Sequence, residues 1–403
     1  MIMSTRPRVL VVAPFTHQNG HFVTFPRDLC CGLAATGANV TLLHTRPFRA
    51  ELDWFGTQVT RACLRDQLDA APRLWKEIWA QLANQPSSLC LLWMIWKLRS
   101  RDFDLVLWTD LQSQDNVWAL AIARRLGLYR FRAAFFEHHA PEATGRFARW
   151  LPTSLTPPRM RLQGLPMFVL SRALQEQWRS LLGKNADVEY LAHGLWPRLM
   201  PQERRTGARR RLGIPEDARV LLVFGVQAAH RKHLDTLRQS VIGYVLDKPL
   251  WLVFVGATLG NAPHPFADWS DPAIQVRLVN GFVPEAEVED YFSAADAAWA
   301  NYRAFPGASG VLLNAMGFGR LSLASSESEI GALCSEHNLG LIVSAPNISA
   351  LREALDAFVK LPGVEQAQWE QKVVSIAGQY AWPKVAERLL AQFGLTAFAP
   401  PRT

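Results

Sequence analysis

Three stretches of the chain combine residue types and spacing that could carry chemistry. In Phe305-Pro-Gly-Ala-Ser309-Gly310-Val311-Leu-Leu-Asn314, small residues lead into an amphipathic pattern. The backbone amides of Ser309, Gly310 and Val311 would then open a helix, with the positive end of its dipole behind them. That is an anion site by construction, where glycine permits close approach and Ser309 can donate or cap. The same stretch also reads as a well-capped structural helix. The second stretch, Gly225 to Asp235, places Arg231 and Lys232 just before a helical pattern and beyond a strand-like run. Two such cations can neutralise a diphosphate leaving group as it gains charge, although a solvated basic turn has the same composition. The third, Phe135-Phe-Glu137-His138-His139, ends a strand-like run with two histidines that could donate to a substrate hydroxyl or share its proton. A structural role fits them equally. Asn19-Gly20-His21, after the first strand-like run, offers a glycine where a ligand could press close.

The elements that must position these residues alternate. Strand-like runs are expected at 8–15, 39–44, 105–108, 133–138, 167–171 and 188–192, then at 220–225, 251–256, 274–280, 298–302, 321–324 and 341–343, with amphipathic helical patterns between them. This is the βαβ pattern of an α/β protein, and it predicts two Rossmann-like domains with parallel sheets. Ligands of such sheets lie beyond the carboxyl ends of the strands, so an interdomain cleft is where function is expected. The Pro- and Arg-rich texture from Trp196 to Ala218 reads as a linker followed by a basic helix turn. The 403-residue length agrees with two domains.

Composition closes off several classes. The longest apolar run, Leu89 to Trp96, has eight residues, far short of the roughly twenty that span a bilayer. With no signal-like N-terminus, a cytoplasmic location is expected. Five cysteines without Cys-x-x-Cys spacing indicate neither a disulfide framework nor a zinc site. No Gly-x-Gly-x-x-Gly, Walker loop or Gly-x-Ser-x-Gly elbow is present, which weakens nicotinamide, nucleotide-triphosphatase and serine-hydrolase readings. Asp102-Phe-Asp104 looks like a divalent-metal pair but precedes its strand, so it reads as structural. No metal and no bound cofactor are expected. Residues 1–200 hold 24 Lys and Arg against 15 Asp and Glu, while the remainder is nearly neutral, so anionic partners are favoured. Trp75, Trp79, Trp93 and Trp96 among Lys76, Lys97 and Arg99 fit either weak contact with the inner face of a membrane or an aromatic core or acceptor pocket. No nucleic-acid module accompanies them.

Together these segments resemble the retaining nucleotide-sugar glycosyltransferases of the GT-B fold, the "glycosyl transferases group 1" family. Asn19-Gly20-His21 is similar to the family's glycine loop, Val169-Leu-Ser171-Arg172 to its Val-Ser strand and Tyr190-Leu-Ala-His193-Gly194 to its Pro-Asn-Gly element. Phe224-Gly225 with Arg231-Lys232-His233-Leu-Asp235 resembles its phosphate clamp, with His233 where glycine is usual. Gly281-Phe282-Val283-Pro284 resembles the segment near the nucleotide base, and Tyr380 to Leu390 the final helix. The resemblance implies an N-terminal acceptor domain over 1–196, a C-terminal donor domain over 197–382 and a helix over about 383–403 crossing back.

It further implies transfer of a sugar from a nucleotide-diphosphate donor to a glycan, lipid-linked or small-molecule acceptor, with retention, without metal and without nucleic acid. Gly20, Arg231, Lys232, Phe282, Val283, Ser309, Gly310, Val311 and Asn314 would bind the donor, and His138, His139, Arg231 and Lys232 would serve the reaction. The chain departs from the family at its two usual glutamates, where Pro306 and Asn314 stand. A catalytically silent binding subunit and a nucleotide-sugar epimerase therefore remain as alternatives.

Overall fold

The computed structural model describes residues 6–13, 21–44, 59–63, 103–110, 123, 126–127, 131–138, 166–198, 202–243, 248–259, 263–303, 305, 307, 309–343 and 347–395. The chain divides into two compact units, one of residues 1–194 with 382–403 and one of residues 195–381.

The sheet of the first unit is parallel in every pairing and runs β3-β2-β1-β4-β5-β6-β7. Its strands are β1 (Arg8–Ala13), β2 (Asn39–His44), β3 (Val59–Cys63), β4 (Leu105–Trp108), β5 (Arg132–Glu137), β6 (Met167–Val169) and β7 (Val188–Tyr190). β4 is Leu-Val-Leu-Trp, all four side chains buried, as a parallel strand covered on both faces requires. Helix α1 (His21–Ala35) follows β1 and α2 (Arg172–Leu182) follows β6. Ser171 caps α2 by accepting from the Leu174 amide at 3.1 Å. The edge strand β3, Val-Thr-Arg-Ala-Cys, is absent from the sequence-based expectation because its polar interior lacks a continuous apolar run.

In the second unit, the sheet runs β10-β9-β8-β11-β12-β13, again parallel throughout. The strands are β8 (Arg219–Phe224), β9 (Leu250–Val255), β10 (Ile274–Val279), β11 (Ala297–Ala300), β12 (Leu321–Ser325) and β13 (Gly340–Val343). The helices are α3 (Gln202–Leu212), α4 (Leu234–Val241), α5 (Glu285–Ala294), α6 (Gly310–Gly317), α7 (Ser328–His337), α8 (Ile348–Lys360) and α9 (Gly363–Gln379). Phe292 of α5 stacks on Phe318 after α6 with centroids 5.3 Å apart, in a core that includes Val220, Val255, Ala298 and Val311.

Helix α10 (Trp382–Gln392) belongs to the first unit and buries Trp382, Val385, Ala386, Leu389 and Leu390. It packs on α1, where the Trp382 carbonyl would lie 2.8 Å from a Cβ at Gly32.

The arginine-rich stretch, expected as a linker followed by a basic helix turn, lies within the second unit and its helical part is longer than one turn. Most of it is helix α3, and four of its five guanidiniums pair, while Arg210 stays exposed. Arg204 meets Glu289, Arg205 meets Asp296 and Glu370, Arg209 meets Asp296 at 2.9 Å, and Arg211 meets Asp290. Four of the five charges are thus matched by carboxylates within the unit.

Candidate functional site

In both units the strand order doubles back beside the first strand, between β1 and β4 and between β8 and β11. Such switch points leave a crevice past the carboxyl ends of the two strands. In the second unit that crevice is bounded by Gly225 after β8 and by Asn301 and Tyr302 after β11.

Gly225 lies at φ 83, a left-handed conformation that glycine adopts without steric cost, and its amide donates to the Val255 carbonyl at 2.8 Å. The turn beyond it is laced by Gln227, whose Nε2 donates to the carbonyls of Val223, Gly225 and Val255 at 2.9, 2.8 and 3.1 Å. Two further turn bonds, from the Arg231 and Lys232 amides to the Ala228 carbonyl, aim both cations just ahead of α4.

Lys232 is only 4% exposed. Its Nζ donates to the Phe224 carbonyl, lies 5.9 Å from the Tyr302 ring centroid and would sit 3.8 Å from a Cβ at Gly225. Val311 Cγ2 would lie 4.0 Å from the same Cβ, so Lys232 and the opening of α6 flank one glycine. Burial, with Arg231 next to it, pulls the Lys232 ammonium down to about 7. The Lys232 carbonyl is held from behind by Trp299 Nε1 at 2.8 Å. Arg231 places its guanidinium 5.3 Å from the Phe305 centroid, and Phe305 tilts against Tyr302 at 5.3 Å.

Ser309 is the N-cap of α6, accepting from the Leu312 amide at 3.3 Å, and is also hydrogen-bonded to the buried Tyr302 hydroxyl. Burial raises that phenol, while Ser309 and Arg231 partly offset the rise. A Cβ built on exposed Gly310 meets nothing within 4 Å, so space lies open in front of the first amides of the helix. Arg231, Lys232, Ser309, Gly310 and Val311, separated by some eighty residues of sequence, therefore meet around one crevice.

The remaining expected site residues distribute as follows. Asn314 is exposed on α6. Phe282 is 77% exposed after β10, with Val283 buried beside it. His138 lies in the first unit at the end of β5. Its Nε2 is 2.7 Å from the Thr109 carbonyl, which can only accept, so Nε2 carries the proton, and its ring packs edge-on to Phe25 at 4.8 Å. Thr109 follows β4 and donates to Val12 of β1, so His138 is tied to that unit's own switch point. Gly20, His139, Pro306 and the tryptophan-rich segment 74–99 lie outside the described residues. Among the described residues, no group of three or more His, Cys, Asp or Glu is placed to hold a metal ion, and no helix is long and apolar enough to cross a membrane.

Sequence reasoning missed Tyr302, Gln227 and His264. The His264 ring packs on Phe254 at 4.7 Å and its Nδ1 accepts from the Phe266 amide at 3.2 Å, leaving the buried Nε2 without a partner among the described residues. Burial and the Lys232 charge lower it to about 4, so it is neutral at pH 7. A lone histidine in a Gly/Pro-rich loop carries no spacing signal.

His233, which replaces the glycine usual at its position, lies at φ 50 in the left-handed region and is buried. Side chains pay roughly 1–2 kcal/mol for that conformation. His233→Gly and His233→Ala both delete the imidazole, and the glycine variant is expected to be more stable by about 1 kcal/mol. Urea midpoints measure the difference. Equal midpoints would remove the strain.

Neither a family model nor a curated protein matches the chain. Solved structures do. HepE from Anabaena, in complex with UDP and glucose, is 14% identical with a TM-score of 0.65, covering 96% of this chain and 100% of that one. A glycosyltransferase from Rickettsia africae is 12% identical at TM-score 0.64, over 96% and 98% of the two chains. Sucrose-phosphate synthase from Thermosynechococcus elongatus is 15% identical at 0.61, over 97% and 98%.

The fold is GT-B. In GT-B terms, the crevice at β8, β11 and α6 belongs to the second Rossmann-like unit, and the His138 neighbourhood belongs to the first.

Proposed function

We propose that this GT-B protein is a glycosyltransferase that moves a sugar from a uridine-diphosphate donor to an acceptor hydroxyl with retention of anomeric configuration. The observation that carries the proposal is the buried, carboxylate-free Lys232 beside Arg231 and the opening of α6. A diphosphate would accept hydrogen bonds from the Gly310 and Val311 amides and lie against both cations. As the bond from the anomeric carbon to the β-phosphate oxygen breaks, its electron pair goes to UDP, and the charge developing there is stabilised by groups already in place. The acceptor oxygen bonds to the anomeric carbon on the face UDP leaves, and its proton passes to the departing phosphate. Protein cations perform the neutralisation, so the reaction is proposed to run without metal. Asn314 would meet the ribose hydroxyls, and Phe282 and Val283 the base. The acceptor is assigned to the first unit, with His138 and His139 as its polar contacts. HepE, solved in complex with UDP and glucose, supports uridine diphosphate as the donor class.

The proposal has a pH signature. UDP-glucose has no group titrating between pH 6 and 9, whereas Lys232 in the free protein loses its proton near 7. Donor affinity is therefore expected to be flat below about pH 6.5 and to weaken as pH rises through 7 towards 9, by up to about tenfold per unit. Isothermal titration of UDP-glucose across this range, together with the anomeric configuration of the product by NMR, tests the reading. Affinity independent of pH, or an inverted product, would count against it. Sustained UDP release only when acceptor is present separates a transferase from a silent subunit, and donor conversion without acceptor would indicate an epimerase.

A further inference from the structure

Charge matching is uneven in the second unit. At the amino ends of the strands the inward guanidiniums among the described residues face carboxylates: Arg205, Arg209 and Arg219 share Asp296, and Arg320 meets Glu370 at 2.8 Å. At the opposite end, among the described residues, Arg231, Lys232 and Arg303 form no ion pair. A nucleotide-linked diphosphate brings one negative charge per phosphate, which Arg231 and Lys232 suffice to balance. Arg303 is in excess.

Its position belongs to the same cluster. The Arg303 amide donates to the Arg231 carbonyl at 2.8 Å, so the two backbones are paired and the side chains start from neighbouring points. Arg303 lies one residue past Tyr302 and two before Phe305, the ring under the Arg231 guanidinium, and Phe305 in turn would touch a Cβ at Gly307 at 3.4 Å. Its side chain is exposed and therefore open to a ligand. The Arg303 charge is also felt at His233: burial first and Arg303 second lower that imidazole, against an opposing pull from Glu327 at the start of α7. Among the described residues, Glu327 is the one carboxylate whose charge is felt at His233, and it forms no ion pair with Arg303.

We infer that the sugar carried by the nucleotide is itself acidic, a uronic acid whose carboxylate is received by Arg303. This rests on the diphosphate reading above. A planar guanidinium receives a carboxylate through two parallel hydrogen bonds, which an ammonium cannot reproduce. Arg303 is thereby the residue that sets donor choice, while Arg231 and Lys232 serve any nucleoside diphosphate.

The experiment is isothermal titration of the full chain and of Arg303→Ala with UDP, UDP-glucose and UDP-glucuronic acid. The parent protein is expected to bind UDP-glucuronic acid at least about tenfold more tightly than UDP-glucose. Arg303→Ala erases that preference and leaves UDP and UDP-glucose unchanged, and Arg303→Lys restores part of it. Equal affinity of the parent protein for the two sugars, with UDP still bound, overturns this inference alone. So does an Arg303→Ala variant that weakens UDP as much as UDP-glucuronic acid, which would place Arg303 on the phosphates. If UDP itself does not bind, the diphosphate reading falls, and the acidic-sugar inference falls with it.

Discussion

Lys232→Met is expected to lower UDP release from a sugar donor by about a hundredfold to a thousandfold while leaving the unliganded protein as stable as before or more so. The two effects share one cause. Nζ is buried beside Phe224, Gly225 and Tyr302 with a single carbonyl as hydrogen-bond partner and, among the described residues, no carboxylate paired with it. The native fold therefore holds an ammonium that it disfavours, as the fall from 10.5 to about 7 records. Between these two values the unfolded chain binds a proton that the native chain does not, so this group makes stability rise with pH from about 7 to 10.5, and below 7 the full cost is borne. Methionine fills the same channel with an unbranched apolar chain and removes that cost. What it cannot do is meet the charge arriving on a leaving diphosphate, and loss of one preorganised donor at such a position costs on the order of a hundredfold to a thousandfold in rate. Thermal unfolding without ligand and steady-state UDP release measure the two halves separately. Unimpaired turnover would remove Lys232 from the reaction, and a melting temperature lowered by several degrees would show that the ammonium is structural.

Much of this arrangement is legible in the chain, and the exceptions have a common physical origin. Buried parallel strands such as Leu105–Trp108 and Leu250–Val255 announce themselves as short apolar runs, and the turn residues after them are local as well. Hence Arg231, Lys232 and Ser309 could be singled out before their meeting place was known. The edge strand Val59–Cys63 escapes because an edge does not demand apolar residues on every side. The inward-turned arginines of Gln202–Leu212 look like a solvated basic run for a different reason. Their partners lie far along the chain, Asp296 being 87 residues from Arg209 and Glu370 being 165 from Arg205. Local composition cannot reveal a counterion supplied by another element. The same holds for Tyr302 and His264, whose relevance comes only from standing near Lys232.

The Asp296 cluster supplies the opposite experiment to Lys232. Asp296 is 1% exposed and immediately precedes β11, at the end of the sheet remote from the crevice. Its Oδ2 accepts from Arg209 at 2.9 Å and from the Val220 amide at 2.7 Å, and its Oδ1 accepts from Gln366 at 2.9 Å and pairs with Arg205, with Arg219 at 3.8 Å. Asp296→Asn keeps the shape but withdraws the one carboxylate that, among the described residues, is shared by three guanidiniums, leaving Glu370 and Glu216 to offset them. Removing one partner from a buried ionic set costs about 3–5 kcal/mol, because the remaining charges stay desolvated. For a unit of this size that corresponds to a fall of roughly 10 °C in melting temperature. Those molecules that remain folded should bind UDP with unchanged affinity, since among the described residues no side chain of the crevice contacts Asp296. A small thermal shift would mean that the arginines are balanced by carbonyls such as those of Ala294 and Glu216, which already accept from Arg209 at 3.1 and 2.6 Å. Placed side by side, the two variants separate the roles that positive charge plays here. At one end of the sheet it is matched and holds the fold together. At the other it is left unmatched, at a cost in stability, and the proposed diphosphate would complete it.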